Sequence, residues 1–223
     1  TEMRALLRLG LPIGGTYAAE QGLFTFATLC MGALGSVQLA AHQIAMQTVA
    51  LAFIVPQGLS YAVTFRVGLH YGAERLHLSR LAGHLGMAMG AALMLLFALL
   101  FLLGGRLFIE LQSDILEVRN AAYPYLPYLA LLPLIAVWSY LLDGLFIGAT
   151  RAREMRDAML IALALALPLA WWLQSLGNHG LWLTFLAFMG LRSVILGGYA
   201  WHLGRRDLWF PPLPAGETAH AQR

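Results

Sequence analysis

The stretch LGMAMGAALMLLFALLFLLGG, residues 85–105, runs from Leu85 to Gly105 without one charged side chain. As a helix it would be about 32 Å long, which matches a hydrocarbon core of about 30 Å. Unbroken apolarity of that length has no place on the half-solvated helices of a soluble domain. It reads as a membrane span and sets the fold class. Five further runs of similar length flank it, so the six spans fall at about residues 11–33, 42–65, 84–108, 123–148, 155–176 and 180–203. The fold class is an all-α polytopic membrane protein with six transmembrane helices, occupying residues 1–210. The Pro-rich, then polar, tail at 211–223 reads as disordered and cytoplasmic.

Composition supports this reading. Hydrophobic residues make up 60% of the 223-residue chain and charged residues 11%, about half the charge of an ordinary soluble domain. All 14 basic residues are Arg. They punctuate apolar runs instead of forming one face, which argues against a nucleic-acid partner. The single cysteine, Cys30, rules out a disulfide within the chain and reads as a small packing residue. The chain begins with Thr1, and its basic start, Arg4 and Arg8, leads into a run too long for a signal-peptide core. That start reads as a point inside a longer protein.

Arginine placement orients the spans. Arg4, Arg8, Arg66, Arg75, Arg80, Arg151, Arg153, Arg156, Arg205, Arg206 and Arg223 share one side, and only Arg106 and Arg119 lie on the other. By the positive-inside rule the arginine-rich side is cytoplasmic. An even number of spans then puts both termini there, in a plasma (inner) membrane. Tyr123, Tyr125, Tyr128, Trp171, Trp172 and Trp182 fall near the outer boundary, as an aromatic belt would.

Against this apolar background, three charged residues stand deep inside spans: Glu20, Asp143 and Arg192. A charge at bilayer depth costs a few kcal/mol or more and marks an ion path, a cavity or a partner. Glu20 lies about nine residues into the first span, roughly 14 Å deep at helical rise. Asp143 is one turn from Ser139 and Tyr140. Two readings stay open for these acids. Either serves as a cation or substrate site, or Arg192 forms an ion pair with one of them and locks the bundle. The second span adds a polar stripe, Gln43, Gln47, Gln57, Tyr61 and Thr64, whose spacings put it on one helix face. It suits a water-filled cleft or hydrogen bonds between helices, and with Tyr140 it supplies the candidate cavity lining. His42 reads as a cap or loop residue at the outer surface. His70, His77 and His84 have no Cys or acid cluster to complete a metal site. Gly86 and Gly90 form a GxxxG pair suited to close helix approach. No GxGxxG, GxxxxGK[ST], HExxH or GxSxG signature occurs, so no enzyme chemistry and no cofactor is expected.

Several stretches carry a family resemblance. Leu7-Arg8-Leu9-Gly10-Leu11-Pro12-Ile13-Gly14, followed by Glu20, resembles the seventh helix of multidrug and toxic compound extrusion (MATE) transporters. Leu39-Ala40-Ala41-His42-Gln43-Ile44-Ala45, Val55-Pro56-Gln57-Gly58-Leu59-Ser60, Arg66-Val67-Gly68 and Gly72-Ala73 resemble the eighth helix and its loop. The most specific stretch, from Leu142-Asp143-Gly144 through Gly148-Ala149-Thr150-Arg151 to Arg156, resembles the tenth helix of the DinF-like branch. The resemblance spans about residues 5–205.

It implies the C-terminal six-helix lobe of a two-lobed transporter. The N-terminal lobe would be its partner, together with the lipid bilayer. The implied activity is export of drugs or other small organic compounds, cationic ones among them, against H+ or Na+ by alternating access. Glu20 and Asp143 fall where acids of this lobe bind cation or substrate in some branches, with Asp143 ranked first for coupling. The competing readings are a self-dimerising half-transporter, a lipid-precursor flippase and a non-transporting membrane scaffold.

Overall fold

The structure, a computed structural model, describes residues 2–206 and 208–210. The tail expected at 211–223, with Arg223, lies outside the described residues. Among the described residues, seven α-helices make up the bundle: α1 (Glu2–Gly32), α2 (Ser36–Gly72), α3 (Leu76–Gln112), the short α4 (Leu116–Ala122), α5 (Leu126–Gly148), α6 (Ala152–Leu173) and α7 (Asn178–Arg205). No strand occurs among the described residues. Six long helices stand at the six expected runs. Among the described residues, five stretches are long and apolar enough to cross a membrane: α2, α3, Leu116–Gly148, Ala152–Leu176 and α7. The first helix has the length, 31 residues, but Thr16, Tyr17, Glu20 and Gln21 in its middle dilute its apolar character.

Observed boundaries differ from the expected ones for local reasons. Helices α2 and α3 have 37 residues each, about 55 Å at helical rise, and so extend well beyond a hydrocarbon core. The fourth run does not begin as one helix at residue 123. Tyr123–Tyr125 forms a 3-10 turn and α5 starts at Leu126. Pro124 and Pro127 lie at the starts of these two segments, where the missing N–H would be unpaired in any case. Only Pro133 lies inside α5.

At the centre stands α5, packed against α2, α3 and α7, while α1 rests on α2 and α6, and α6 on α7. Glycines set these distances. A Cβ on Gly86 would fall 2.2 Å from Val63 of α2, and one on Gly90 would fall 2.4 Å from Leu141 of α5. The GxxxG pair is thus a contact stripe. A Cβ on Gly144 would meet the Ser60 carbonyl oxygen at 2.4 Å, so α5 and α2 touch backbone to backbone there. One turn on, Thr64 donates to the carbonyls of Ser60 (2.9 Å) and Gly144 (3.0 Å), tying the two helices together.

A repeat emerges at the arginine-rich end. Helix α2 ends in GLHYGAER (68–75) and α5 in GLFIGATR (144–151). Glu74 and Thr150 take positive φ, 58° and 59°. The amides of Arg75 and Arg151 each reach five residues back, to His70 (2.8 Å) and Phe146 (2.7 Å). Both turns are Schellman caps, built with the same residue pattern and a non-glycine residue in the left-handed position.

Four side chains sit otherwise than expected. His42 is no cap. It lies inside α2, fully buried, with its ring 5.7 Å from that of Trp182 and Nε2 3.4 Å from the Thr28 hydroxyl. Cys30 is exposed on α1. The aromatic belt divides: Tyr125 and Trp182 are buried in the core, whereas Trp171 and Trp172 stand exposed.

Candidate functional site

Three helices bring the three intramembrane charges together. Glu20 comes from α1, Asp143 from α5 and Arg192 from α7, and they are 3%, 2% and 0% exposed. Arg192 Nη1 donates to Glu20 Oε2 at 2.8 Å, and Nη2 donates to Asp143 Oδ2. Glu20 takes a further hydrogen bond from the Tyr140 hydroxyl, 2.5 Å to Oε1. The arginine therefore holds both acids, where the sequence left open a pair with one. The Phe53 and Tyr140 rings meet in a T-shaped contact, their centroids 5.3 Å apart.

The position of Arg192 is fixed by its own neighbour. Ser193 bonds Ser139 across the α5–α7 contact at 2.7 Å and donates to the Ile135 carbonyl at 3.1 Å. Ser139 lies one turn before Asp143, so this stitch sets the register of guanidinium against carboxylate.

Charge counting defines the chemistry. Two carboxylates share one guanidinium, so the cluster carries a formal charge of −1. Burial of an uncompensated charge is expensive, and a bound cation or proton would relieve it. Two polar atoms in the cluster, Asp143 Oδ1 and Arg192 Nε, are buried without a hydrogen-bond partner among the described residues.

Access is asymmetric. A cavity of about 210 Å³ opens beside the cluster, lined by Tyr17, Glu20, Gln21, Gln57 and Tyr140 among others. Glu20 lines this cavity; Asp143 and Arg192 are not among its lining residues. Of the polar stripe on α2, Gln57 reaches the cavity with Tyr140 from α5. Gln43, Gln47 and Tyr61 are exposed and are not among its lining residues, and Thr64 serves the α2–α5 contact. Sequence reasoning missed Tyr17 and Gln21 as lining residues. Their spacing of three and one from Glu20 on a helix was the available signal. Among the described residues no group of three His, Cys, Asp or Glu could hold a metal ion.

With this geometry in hand, known proteins give a consistent comparison. The MatE family model matches residues 12–172. "Probable multidrug resistance protein NorM" of Pseudomonas syringae is 46% identical over 188 residues, covering 81% of this chain and 40% of that protein. "DNA damage-inducible protein F" of Escherichia coli is 36% identical over 197 residues, 82% of this chain and 41% of its own length. The chain thus spans less than half the length of these relatives. In fold it is similar to the crystal structure of the eukaryotic MATE transporter AtDTX14, with a TM-score of 0.82 at 23% identity, covering 92% of this chain and 48% of that one.

Proposed function

From a chain that belongs to the MatE family of multi-pass membrane transporters, we propose one lobe of an antiporter that exports small organic compounds against H+ or Na+. The observation that carries this reading is the single guanidinium shared by two buried acids beside a cavity. At a formal charge of −1 the cluster has room for one more positive charge, and that cation can be the coupling ion or a cationic substrate. The two would then exclude each other at one site, which is the requirement for exchange.

The cavity supports Glu20 as the point of entry and Asp143 as the second acid. This reverses the rank read from sequence, because Glu20 lines the cavity and Asp143 does not. Neutralising Glu20 would release Arg192 Nη1 and the Tyr140 hydroxyl together and leave Arg192 paired with Asp143 alone. Since these groups come from α1, α5 and α7, such a change alters how three helices are held. A matching N-terminal lobe would cover the polar face of α1 and α2, where Gln21, Gln43 and Gln47 are exposed. The arginine-rich end would face the cytoplasm, with reporter fusions at Ala73 and Ser113 giving opposite sidedness.

The test is exchange in vesicles containing the protein that carries this lobe. An organic cation would be followed under an imposed H+ gradient and, separately, an imposed Na+ gradient. Glu20→Gln, which mimics the neutralised acid, should insert normally and lose exchange; Asp143→Asn should be weakened. Full exchange by Glu20→Gln at normal expression would remove the cluster from the coupling.

A further inference from the structure

Outside the ion cluster, three further buried side-chain atoms have no hydrogen-bond partner among the described residues: His42 Nδ1, Asn178 Oδ1 and Trp182 Nε1. They belong to one place, the contact of α2 with α7 at the end opposite the arginine-rich one. Gln38 and His42 are one turn apart on α2, and Asn178 and Trp182 are one turn apart on α7. Asn178 Nδ2 donates to Gln38 Oε1 at 3.4 Å, and the ring centroids of His42 and Trp182 lie 5.7 Å apart. The two helices therefore run side by side in register and meet through two rungs of polar side chains. His42, Asn178 and Trp182 are all buried. The Asn178 side chain also bonds the Tyr125 hydroxyl, which leaves Oδ1 still without a partner.

The heavy atoms assign the protons. The Thr28 hydroxyl has one proton and donates it to the Phe24 carbonyl at 3.1 Å. Its contact with His42 Nε2, at 3.4 Å, is then made through an oxygen lone pair, so Nε2 carries the ring proton. A neutral imidazole protonated there has an acceptor at Nδ1. Asn178 turns its amide nitrogen to Gln38, and the oxygen left over is also an acceptor. The Trp182 indole N–H is a donor only. The unmatched set is two acceptors and one donor.

We propose that one ordered water molecule is bound between these rungs, donating to His42 Nδ1 and Asn178 Oδ1 and accepting from the Trp182 N–H. A water has two protons for the two acceptors and a lone pair for the donor. Buried waters typically make about three hydrogen bonds, to polar groups that lack other partners. An ion fits worse, because the indole N–H opposes a cation and the two acceptors oppose an anion. An apolar occupant would leave all three atoms unpaired, which folded proteins rarely tolerate. The water completes a chain from α1, through Thr28 and His42, to α7. Helices α1 and α7 are then joined at two levels: by the charged contact of Glu20 with Arg192, and by this uncharged one two turns along α1. The second tie is independent of which ion drives exchange.

The test uses the protein that carries this lobe, in lipid nanodiscs. Its structure would be solved at a resolution that shows ordered water, and its histidine ring nitrogens read by 15N NMR on labelled protein near neutral pH. Wild type should show one solvent peak within hydrogen-bonding distance of all three atoms, and a neutral His42 with its proton on Nε2. Trp182→Phe keeps a ring and removes the donor, so magnetisation transfer from water to His42 Nδ1 should fall several-fold. Well-ordered side chains with no peak between them would overturn the proposal. So would a proton on Nδ1 of His42, or a direct protein donor on either acceptor. Unchanged transfer in Trp182→Phe would overturn the three-point site. Should that variant fail to fold, the solvent peak and the tautomer in wild type decide alone.

Discussion

Helices α3 and α5 are both continuous apolar segments, yet their surroundings are opposite. In α3 the buried positions form one narrow stripe, Gly83, Gly86, Gly90, Met94, Ala98 and Phe101, and the Leu residues around it are exposed. In α5 almost every residue from Leu129 to Gly148 is buried or half-buried. The difference lies in what the helices meet. The first presents glycines to two neighbours and leucines outward, and the second is enclosed by α2, α3 and α7. Lipid and protein interior are equally apolar, so hydrophobicity alone does not separate an outer helix from a central one. Small residues and the rare polar groups do.

The sharpest way to break this contrast is at the charge that α5 shares with α7. Arg192→Met would leave Glu20 and Asp143 as two buried, uncompensated carboxylates. A loss of about 3–5 kcal/mol is expected from removing one partner of a buried pair, read as a fall in thermal unfolding temperature in detergent. Adding Glu20→Gln and Asp143→Asn to the same chain should recover most of it. If Arg192→Met alone unfolds like wild type, the ion cluster does not hold α5 in place.

Next in size is the close approach of α5 to α2. Gly144→Ala puts a methyl group against the Ser60 carbonyl, which cannot swing aside, and overpacking of this kind costs about 1–3 kcal/mol. The comparison on α3 is Gly104, where a Cβ meets nothing within 4 Å. There Gly→Ala should stabilise by up to about 1 kcal/mol through helix propensity. Equal effects at the two sites, by the same unfolding measurement, would mean that α5 is not as tightly enclosed as its contacts indicate.

A smaller effect is expected at Thr64→Val, which removes the bond to the Gly144 carbonyl; interhelical hydrogen bonds in membranes average about 0.6 kcal/mol. Smallest is Leu103→Ala on α3. Leu103 is 88% exposed, so the change should stay within about 0.5 kcal/mol. A larger loss would mean that this face of α3 is covered by something besides lipid.

How much could be read beforehand follows from the same physics. Apolar runs reveal helices because every backbone group in a bilayer must be paired within its own segment, so six runs became six long helices. Glu20, Asp143 and Arg192 were legible as a site because each is costly where it stands. The role of Gly86 and Gly90 was visible as a pattern but not its targets, Val63 and Leu141, which depend on the crossing of three helices. The stripe on α2 suits either a cleft or contacts between helices. Helix periodicity places residues on a face but cannot say what covers each turn of it, and only Gln57 reached the cavity. The paired segments GLHYGAER and GLFIGATR end two helices in the same way, a likeness whose meaning appears only once the positive φ at Glu74 and Thr150 is known.

Sequence by itself determined that this chain is a bundle of membrane helices, which end is rich in arginine, and which three charges need partners. Those properties are local: a free energy of transfer summed along one segment. Tertiary structure alone decided that one arginine serves two acids, and that Glu20 lines a cavity that Asp143 does not. Each joins residues more than a hundred positions apart or depends on the rotation of one helix against another. A 3.6-residue period leaves that rotation free until neighbouring side chains pack.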